Sequence, residues 1–318
     1  MRLFITRPLP EAVIAAARAE FDVVLRDDNT PTTRDELLAA LGEYEIILPT
    51  LGDHFDAALL AACPAPRTRL LANFGVGYNH IDTAAAAAAG IAVTNTPGAV
   101  TDATADIALT LMLMSTRRAA EGERLVRSGQ WQGWHPTQML GLHLGGKVLG
   151  VVGMGRIGQA IARRAHFGFG MELRYFTRSP RPLDDLPMAQ PVADLHGLMR
   201  DCDIVVLAVP ASPATRHLID AAALAAMPGH AHLINISRGD VIDEAALIAA
   251  LQARRIGGAG LDVYEHEPHV PAALRALDNV VLLPHLGTAA LEVRTEMGMM
   301  ALDNARAFKA GKALPNAV

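Results

Sequence analysis

The sequence predicts an α/β fold made of two doubly wound parallel sheets. Three observations carry that expectation. The chain has 318 residues, beyond the size at which a single hydrophobic core stops growing, so two domains are expected. Short apolar runs alternate with helix-like stretches from end to end, the pattern of parallel strands covered by helices. One such run leads straight into a glycine-rich turn that opens a helix, Gly153-Met154-Gly155-Arg156-Ile157-Gly158.

In the first third, the strand candidates are Arg2–Thr6, Asp22–Leu25, Glu45–Leu48, Arg69–Asn73 and Ile91–Thr94. Glu11–Glu20, Arg34–Leu41 and Thr83–Ala89 read as the helices between them. Ala84–Ala89 is an unbroken run of good helix formers, and Gly90 after it is a natural C-cap. Thr96-Pro97-Gly98 is a turn signal. Beyond it, Asp102–Arg127 reads as one long helix with an apolar stripe at Ile107, Leu111 and Met114. Gly129–Pro136, with Trp131, Gly133, Trp134 and His135, is an irregular loop. A second series of strands then follows: Val148–Val152, Glu172–Phe176, Ile204–Val209, His232–Ile236, Ala259–Val263 and Val280–Leu283. Six strands with helices between them match a full dinucleotide-binding (Rossmann-like) fold. Ala289–Ala310 continues as a helix beyond the last strand.

Composition narrows the function. Hydrophobic residues make up 51% and charged residues 19%, which supports a folded core and excludes a disordered chain. Net charge is −5 and no Lys/Arg block appears, so neither nucleic acid nor a membrane surface is an expected partner. Cys63 and Cys202 have no metal-like spacing, and so few thiols suit a reducing compartment. The N-terminus meets Arg2 and Arg7 too early for a signal peptide. Ile107–Met114 is too short to span a bilayer. A soluble, cytoplasmic, metal-free protein is expected.

The turn Gly153–Gly158 is read as a cofactor site. Its first glycine makes the tight turn, its second lets backbone approach a pyrophosphate, and its third lets helix and strand pack closely. Unpaired N–H groups at the helix start, at Arg156 and Ile157, then face the phosphates. A glycine-rich turn with no ligand is the plainer alternative, but strand, helix and following strand are all in place. An NAD-binding unit usually carries Asp or Glu at the end of its second strand. Here that segment is Tyr175-Phe176-Thr177-Arg178-Ser179-Pro180-Arg181, with no acid and two arginines. A guanidinium pairs with a 2′-phosphate where a carboxylate would repel it. NADPH is therefore expected over NADH.

Three polar groups follow predicted strands at the end where open α/β sheets bind ligands. They are Arg238 in Ser237-Arg238-Gly239, Glu267 in Leu261–Pro268, and His285 in Pro284-His285-Leu286-Gly287. Reducing a 2-keto acid needs a hydride, a proton for the nascent alkoxide and a cation for the carboxylate. His285 suits proton transfer at neutral pH. Glu267 would hold its other ring nitrogen and keep the imidazole protonated. Arg238 would clamp the carboxylate and polarise the carbonyl. Any one of 12 histidines could be incidental, and an Arg after a strand is commonly a surface charge. Their joint placement downstream of the glycine turn lifts the set above those readings.

At these residues the sequence resembles the D-isomer-specific 2-hydroxyacid dehydrogenases, over essentially the whole chain. The matching segments are Asn73–Asp82, Thr101–Asp106, the glycine turn, Ser237-Arg238-Gly239, Leu261–Pro268 and Pro284–Thr288. Within the family the loop Trp131–Met139 and Thr177–Arg181 are similar to those of glyoxylate/hydroxypyruvate reductases. The resemblance implies Arg238, Glu267 and His285 as the catalytic set. It implies Val76 and Gly77 as backbone donors to the substrate carboxylate, in agreement with the anion-binding character of a glycine-rich turn after a strand. It places Thr104, Asp262 and Gly287 near the nicotinamide, and Val209, Pro210, Thr215 and Ile236 in the rest of the cofactor pocket. Leu51 and the Trp loop would set the size of the substrate pocket.

The resemblance also implies a discontinuous substrate domain, 1–98 plus 286–318, and a dinucleotide domain, 99–285, with a cleft between them. The long helix 102–127 would form a homodimer core. The Trp131–Pro136 loop would reach the partner's cleft, or else pack plainly in the interface. The expected activity is NADPH-dependent reduction of glyoxylate or hydroxypyruvate to glycolate or D-glycerate, with NADH used more weakly. Rivals are a D-lactate or D-3-phosphoglycerate type dehydrogenase, or a catalytically silent NAD(P)H-sensing interaction protein. Glu267 speaks against a formate dehydrogenase, and Asn73–Gly77, which lacks a lysine, against a phosphite dehydrogenase.

Overall fold

The strands are short, mostly buried runs that pair in parallel, an arrangement that requires helices over both faces. The computed structural model describes residues 1–178 and 183–318. Within them the chain divides into two units, Met1–Val100 with Thr288–Val318, and Thr101–Gly287.

The first unit contains β1 (Arg2–Ile5), α1 (Glu11–Glu20), β2 (Asp22–Leu25), α2 (Arg34–Glu43), β3 (Ile46–Leu48), α3 (Ala57–Ala61), β4 (Leu70–Ala72), α4 (Thr83–Ala88) and β5 (Ala92–Thr94). Its five described strands run β2-β1-β3-β4-β5, all parallel. Successive side chains alternate between two cores, as the two-residue period of a strand requires. Phe4, Ile47, Leu71 and Val93 enter one layer, and Leu3, Ile5, Ile46, Leu48 and Leu70 the other. Thr33 caps α2 in a reciprocal box with Glu36, and Gly90 ends α4 at φ +71°.

The second unit contains α5 (Thr101–Thr116), α6 (Ala119–Arg127), β6 (Val148–Val152), α7 (Arg156–Phe169), β7 (Glu172–Phe176), β8 (Gln190–Pro191), α8 (Leu195–Asp201), β9 (Ile204–Leu207), α9 (Ala221–Ala226), β10 (His232–Asn235), α10 (Glu244–Gln252), β11 (Gly258–Leu261), α11 (Ala272–Arg275) and β12 (Val280–Leu282). The seven described strands run β12-β11-β10-β9-β6-β7-β8. This is the doubly wound dinucleotide order with one strand added beyond the usual six. The last helix, α12 (Leu291–Lys309), returns to the first unit, burying Ala301, Leu302 and Ala305 against the β1–β3–β4 layer.

Two expectations are corrected. The helix expected over Asp102–Arg127 is two helices, broken at Arg117 and Arg118. Leu142 donates its N–H to the Thr116 carbonyl at 2.8 Å, the acceptor that a continuing helix would need. Arg118 turns left-handed, φ 54°, and its guanidinium binds Glu121. None of the α6 residues is buried, so no core face holds it in line with α5. The second sheet also has a strand that the apolar pattern does not reveal. β8 is two exposed residues, Gln190 and Pro191, and proline is tolerated there because the strand lies at an edge.

Candidate active site

The first component of the site is the turn after β6. Gly153 adopts φ +97°, and a Cβ there would stand 2.7 Å from the Ala208 carbonyl oxygen. A Cβ on Gly158 would stand 2.1 Å from the Gly153 carbonyl oxygen, so α7 packs on the turn only because residue 158 is glycine. A Cβ on Gly155 would meet nothing within 4 Å. Two glycines thus serve packing and the third borders open space at the N-terminus of the 14-residue helix α7. Arg156 and Ile157 form its first turn. These features fit a pyrophosphate of a dinucleotide. Thr177 and Arg178 follow β7 directly, and Arg178 is exposed. Ser179 and Arg181 lie outside the described residues. Val209 and Pro210 follow β9, and the Thr215 hydroxyl donates to the Pro210 carbonyl at 2.8 Å, folding that loop back on itself.

The second component gathers at the ends of β10, β11 and β12. After β10, the Asn235 amide donates to the Arg238 carbonyl at 2.9 Å and its oxygen accepts from the Ser237 N–H and hydroxyl. Ile236 is buried in this turn. A Cβ on Gly239 would stand 1.8 Å from the Tyr264 carbonyl carbon, so the Arg238 turn lies directly on the backbone leading to Glu267. Burial pushes the half-buried Arg238 guanidinium downward, opposed by the carboxylates of Glu267 and Asp240.

Glu267 Oε1 accepts from the Tyr264 N–H at 3.1 Å, and Oε2 from His285 Nδ1 at 2.9 Å. Burial alone would raise this carboxyl. The hydrogen bond and charge of His285, the Tyr264 N–H and the Arg238 charge outweigh it, and the net shift is downward. An ionised carboxylate only accepts, so the ring proton sits on Nδ1.

His285 occupies a left-handed backbone position, φ 55°, that non-glycine residues rarely adopt. Asp262, 1% exposed, holds it there. Its carbonyl accepts the His285 N–H at 2.9 Å. Its carboxylate accepts the Leu286 N–H at 2.6 Å and the Gly287 N–H at 2.8 Å. Burial lifts the Asp262 carboxyl above the ordinary range despite these bonds. Thr104, on α5, donates its hydroxyl to the Gly287 carbonyl at 3.3 Å, closing the turn from the other side. The family resemblance implies a place for Asp262 near the nicotinamide; the hydrogen bonds of its carboxylate to the Leu286 and Gly287 N–H groups have no signal in the sequence.

In the first unit, the turn after β4 carries Val76 and Gly77. The Asn73 amide donates to the Gly75 and Gly77 carbonyls, both at 3.0 Å, and its oxygen pairs with His80 Nε2 at 3.0 Å. The Asn95 amide donates to the Val76 carbonyl at 2.9 Å. The carbonyls are thus tied back, and among the described residues the Val76 and Gly77 N–H groups reach no backbone acceptor. Asn73, Asn95 and Asn235 were not singled out from sequence, although buried asparagines at strand ends are frequent turn-builders. Leu51 sits half-buried in the turn after β3. Among the described residues no group of three or more His, Cys, Asp or Glu side chains could hold a metal ion.

Comparison with known proteins identifies the family. Residues 109–287 match the family model described as D-isomer specific 2-hydroxyacid dehydrogenase, NAD binding domain. A glyoxylate reductase of Thermococcus kodakarensis is 42% identical over 321 aligned positions, covering 100% of this chain and 96% of that one. One from Pyrococcus horikoshii is 42% identical, covering 100% and 95%. Among solved structures, a Thermus thermophilus protein superposes with a TM-score of 0.92 at 39% identity, covering 100% of both chains. The NADPH-dependent glyoxylate/hydroxypyruvate reductase of Sinorhizobium meliloti, solved with NADP and malonate, superposes with a TM-score of 0.85 at 35% identity, covering 100% and 96%. Matched by that family model over more than half its length and by these relatives from end to end, the chain belongs to the D-isomer-specific 2-hydroxyacid dehydrogenases.

Proposed function

We propose that this protein reduces glyoxylate or hydroxypyruvate with NADPH, giving glycolate or D-glycerate. The observation that carries the reading is the 2.9 Å contact between Glu267 and His285 Nδ1, in a unit whose glycine turn fits a dinucleotide. With Nδ1 bound to Glu267, Nε2 is the ring atom that serves the substrate. A dinucleotide held at Gly153, Gly155 and Gly158 would supply, from its dihydronicotinamide, the hydride for the carbonyl carbon. His285 gives the proton to the carbonyl oxygen as it becomes a hydroxyl, and Glu267 stabilises the ring through the exchange. Arg238 binds the carboxylate and polarises the carbonyl, and in the first unit the Val76 and Gly77 N–H groups, which reach no backbone acceptor among the described residues, are proposed as anion donors. Gly153, Gly155 and Gly158 shape the pyrophosphate seat.

The preference for NADPH rests on the end of β7, where Thr177 and Arg178 stand in place of an acid directly after Phe176. The solved relative that holds NADP supports it. A steady-state panel of glyoxylate, hydroxypyruvate and pyruvate with NADPH and NADH tests the proposal. Turnover of the first two with NADPH is expected to be fastest. NADH preference, or a protein that binds NADPH but reduces none of the three acids, would overturn it.

The working unit is proposed to be a homodimer. Around α6 and the loop after it Val126, Trp131, Trp134 and Leu140 are exposed, Trp134 to 78%. So many large apolar side chains in one stretch suit a subunit interface. A cytoplasmic, reducing location agrees with two free cysteines. No helix among the described residues is long and apolar enough to cross a membrane.

A further inference from the structure

In the first sheet, order β2-β1-β3-β4-β5, the winding direction reverses between β1 and β3. The crevice beyond the strand ends at such a reversal is the usual ligand seat of an open parallel sheet. In this chain the protein fills that seat itself. Thr6 and Arg7 leave the end of β1, and the turn Pro49–Asp53 leaves the end of β3. The Asp53 side chain between them is fully buried. Its Oδ2 accepts from the Thr6 hydroxyl at 2.6 Å, the Thr50 N–H at 2.8 Å and the Thr50 hydroxyl at 3.1 Å. Its Oδ1 accepts from the Thr32 N–H at 3.1 Å and lies 3.5 Å from Arg7 Nη2.

Backbone N–H groups, hydroxyls and a guanidinium are the donors that would grip a bound anion. Burial alone would raise the Asp53 carboxyl, but those hydrogen bonds bring it below its ordinary value. Arg7 Nε and Nη2 are buried and make no hydrogen bond among the described residues, so Arg7 acts on Asp53 chiefly as a charge. Gly52 closes the arrangement. It adopts φ +100°, and a Cβ on it would stand 2.9 Å from Arg7 Nη2. Leu51 projects from the same turn, between Thr50, which Asp53 holds, and Gly52, which lies against Arg7.

We propose that the Asp53 carboxylate is a built-in anion at the reversal of the first sheet, and that with Arg7 it fixes the Thr50–Gly52 turn and thereby the position of Leu51 against the substrate. Arg7 and Asp53 are positioning residues for substrate discrimination, and they touch neither cofactor nor keto acid. The inference rests on the reading above, in that it takes Leu51 as a wall of the substrate pocket. A looser turn moves that wall, and a displacement of about 1 Å is enough for a large kinetic effect. The KM for glyoxylate and the preference between glyoxylate and hydroxypyruvate, which differ in the group facing the wall, are the quantities that change.

The test compares Arg7→Met, Arg7→Lys and Leu51→Ala with the parent, using the full chain. Arg7→Met keeps the apolar stem and removes the charge. Its KM for glyoxylate is expected to rise about tenfold, with kcat and the Kd for NADPH within about twofold of the parent. The ratio of kcat/KM for the two acids is expected to shift in the same direction as in Leu51→Ala. Arg7→Lys, the milder change, is expected to lie between, and it decides the matter should Arg7→Met not fold. If the folded Arg7 variants keep parental KM and ratio while Leu51→Ala changes both, the positioning role is overturned and the substrate-wall reading stands. If Leu51→Ala changes neither, the wall reading itself fails and takes the inference with it. A parent that reduces no keto acid would overturn the proposed function and the inference with it, whereas an active parent with unaltered Arg7 variants overturns the inference alone.

Discussion

Replacing Asp262 with Asn separates catalysis from folding at a single buried atom. The Asp262 carboxylate accepts two backbone N–H groups, from Leu286 and Gly287, and each hydrogen bond to a charged group is worth about 1.5–3 kcal/mol. Asparagine keeps one acceptor oxygen and turns an amide donor toward the other N–H. About 2 kcal/mol is thus withdrawn from the turn that carries His285. The left-handed position of His285, φ 55°, costs about 1–2 kcal/mol. The strain that two bonds outweigh is then only matched by one, and the share of molecules with His285 beside Glu267 falls. At 1.4 kcal/mol per factor of ten, kcat for glyoxylate is expected to drop about 10- to 30-fold. Stability should move far less. Burial holds the Asp262 carboxyl above its ordinary value, so its ionised form opposes folding at neutral pH, and Asn removes that cost. The sign follows from linkage. A carboxyl raised on folding binds its proton more readily in the native state, so the parent gains stability as pH falls through the raised value, and Asp262→Asn lacks that gain. Steady-state kinetics together with urea unfolding at two pH values reads both effects. A folded Asp262→Asn enzyme with parental kcat would refute the assignment.

Four further variants have expected outcomes. Gly155→Ala should fold as the parent does, because its Cβ meets nothing within 4 Å, yet weaken NADPH binding about tenfold or more by occupying the pyrophosphate seat. Gly158→Ala forces a Cβ to 2.1 Å from a carbonyl oxygen and should cost about 1–3 kcal/mol of stability as well; melting curves and NADPH titration distinguish the two, and equal behaviour would contradict the geometry. Burial pushes His232 down from 6.5 to about 4, so the unfolded chain takes up a proton that the native state resists. Stability should therefore fall as pH drops from 6.5 toward 4, by up to about 3 kcal/mol, and His232→Gln should flatten that slope in urea unfolding; an unchanged slope would exclude His232 as its source. Finally, Arg178→Ala is expected to raise KM for NADPH about tenfold while leaving KM for NADH within about twofold, the loss of one guanidinium–phosphate pair. Equal effects on both cofactors would remove Arg178 from 2′-phosphate recognition.

The strands Val148–Val152 and Glu172–Phe176 are found at the residues expected from sequence: the first is a continuous apolar run buried almost throughout, and the second alternates, with Leu173 and Tyr175 buried and Glu172 exposed. Glu11–Glu20 is likewise found unchanged. The glycine turn was legible because its spacing directly after an apolar run is itself the signal, although only Gly158 is demanded by a neighbour a few residues away, the Gly153 carbonyl. β8 was not legible, since two exposed residues at an edge bury nothing and leave no apolar pattern. The break at Arg118 was hidden for a related reason. Helix propensity continues smoothly through Arg117 and Arg118, and what stops the helix is Leu142, more than twenty residues away in sequence, taking the Thr116 carbonyl.

Residue type and spacing alone thus determined the class of fold and the glycine turn, and singled out Arg238, Glu267 and His285 as candidates. These are local matters: periodicity, the spacing of glycines between a strand and a helix, and side chains whose chemistry suits proton transfer and anion binding. Only the tertiary structure decided that Glu267 binds His285 Nδ1, that Asp262 holds the histidine in a left-handed turn, and that Asp53 fills the reversal of the first sheet. Those outcomes depend on strand ends brought together from distant parts of the chain. A hydrogen bond between them is set by the register and order of the sheet, quantities that no single stretch of sequence encodes.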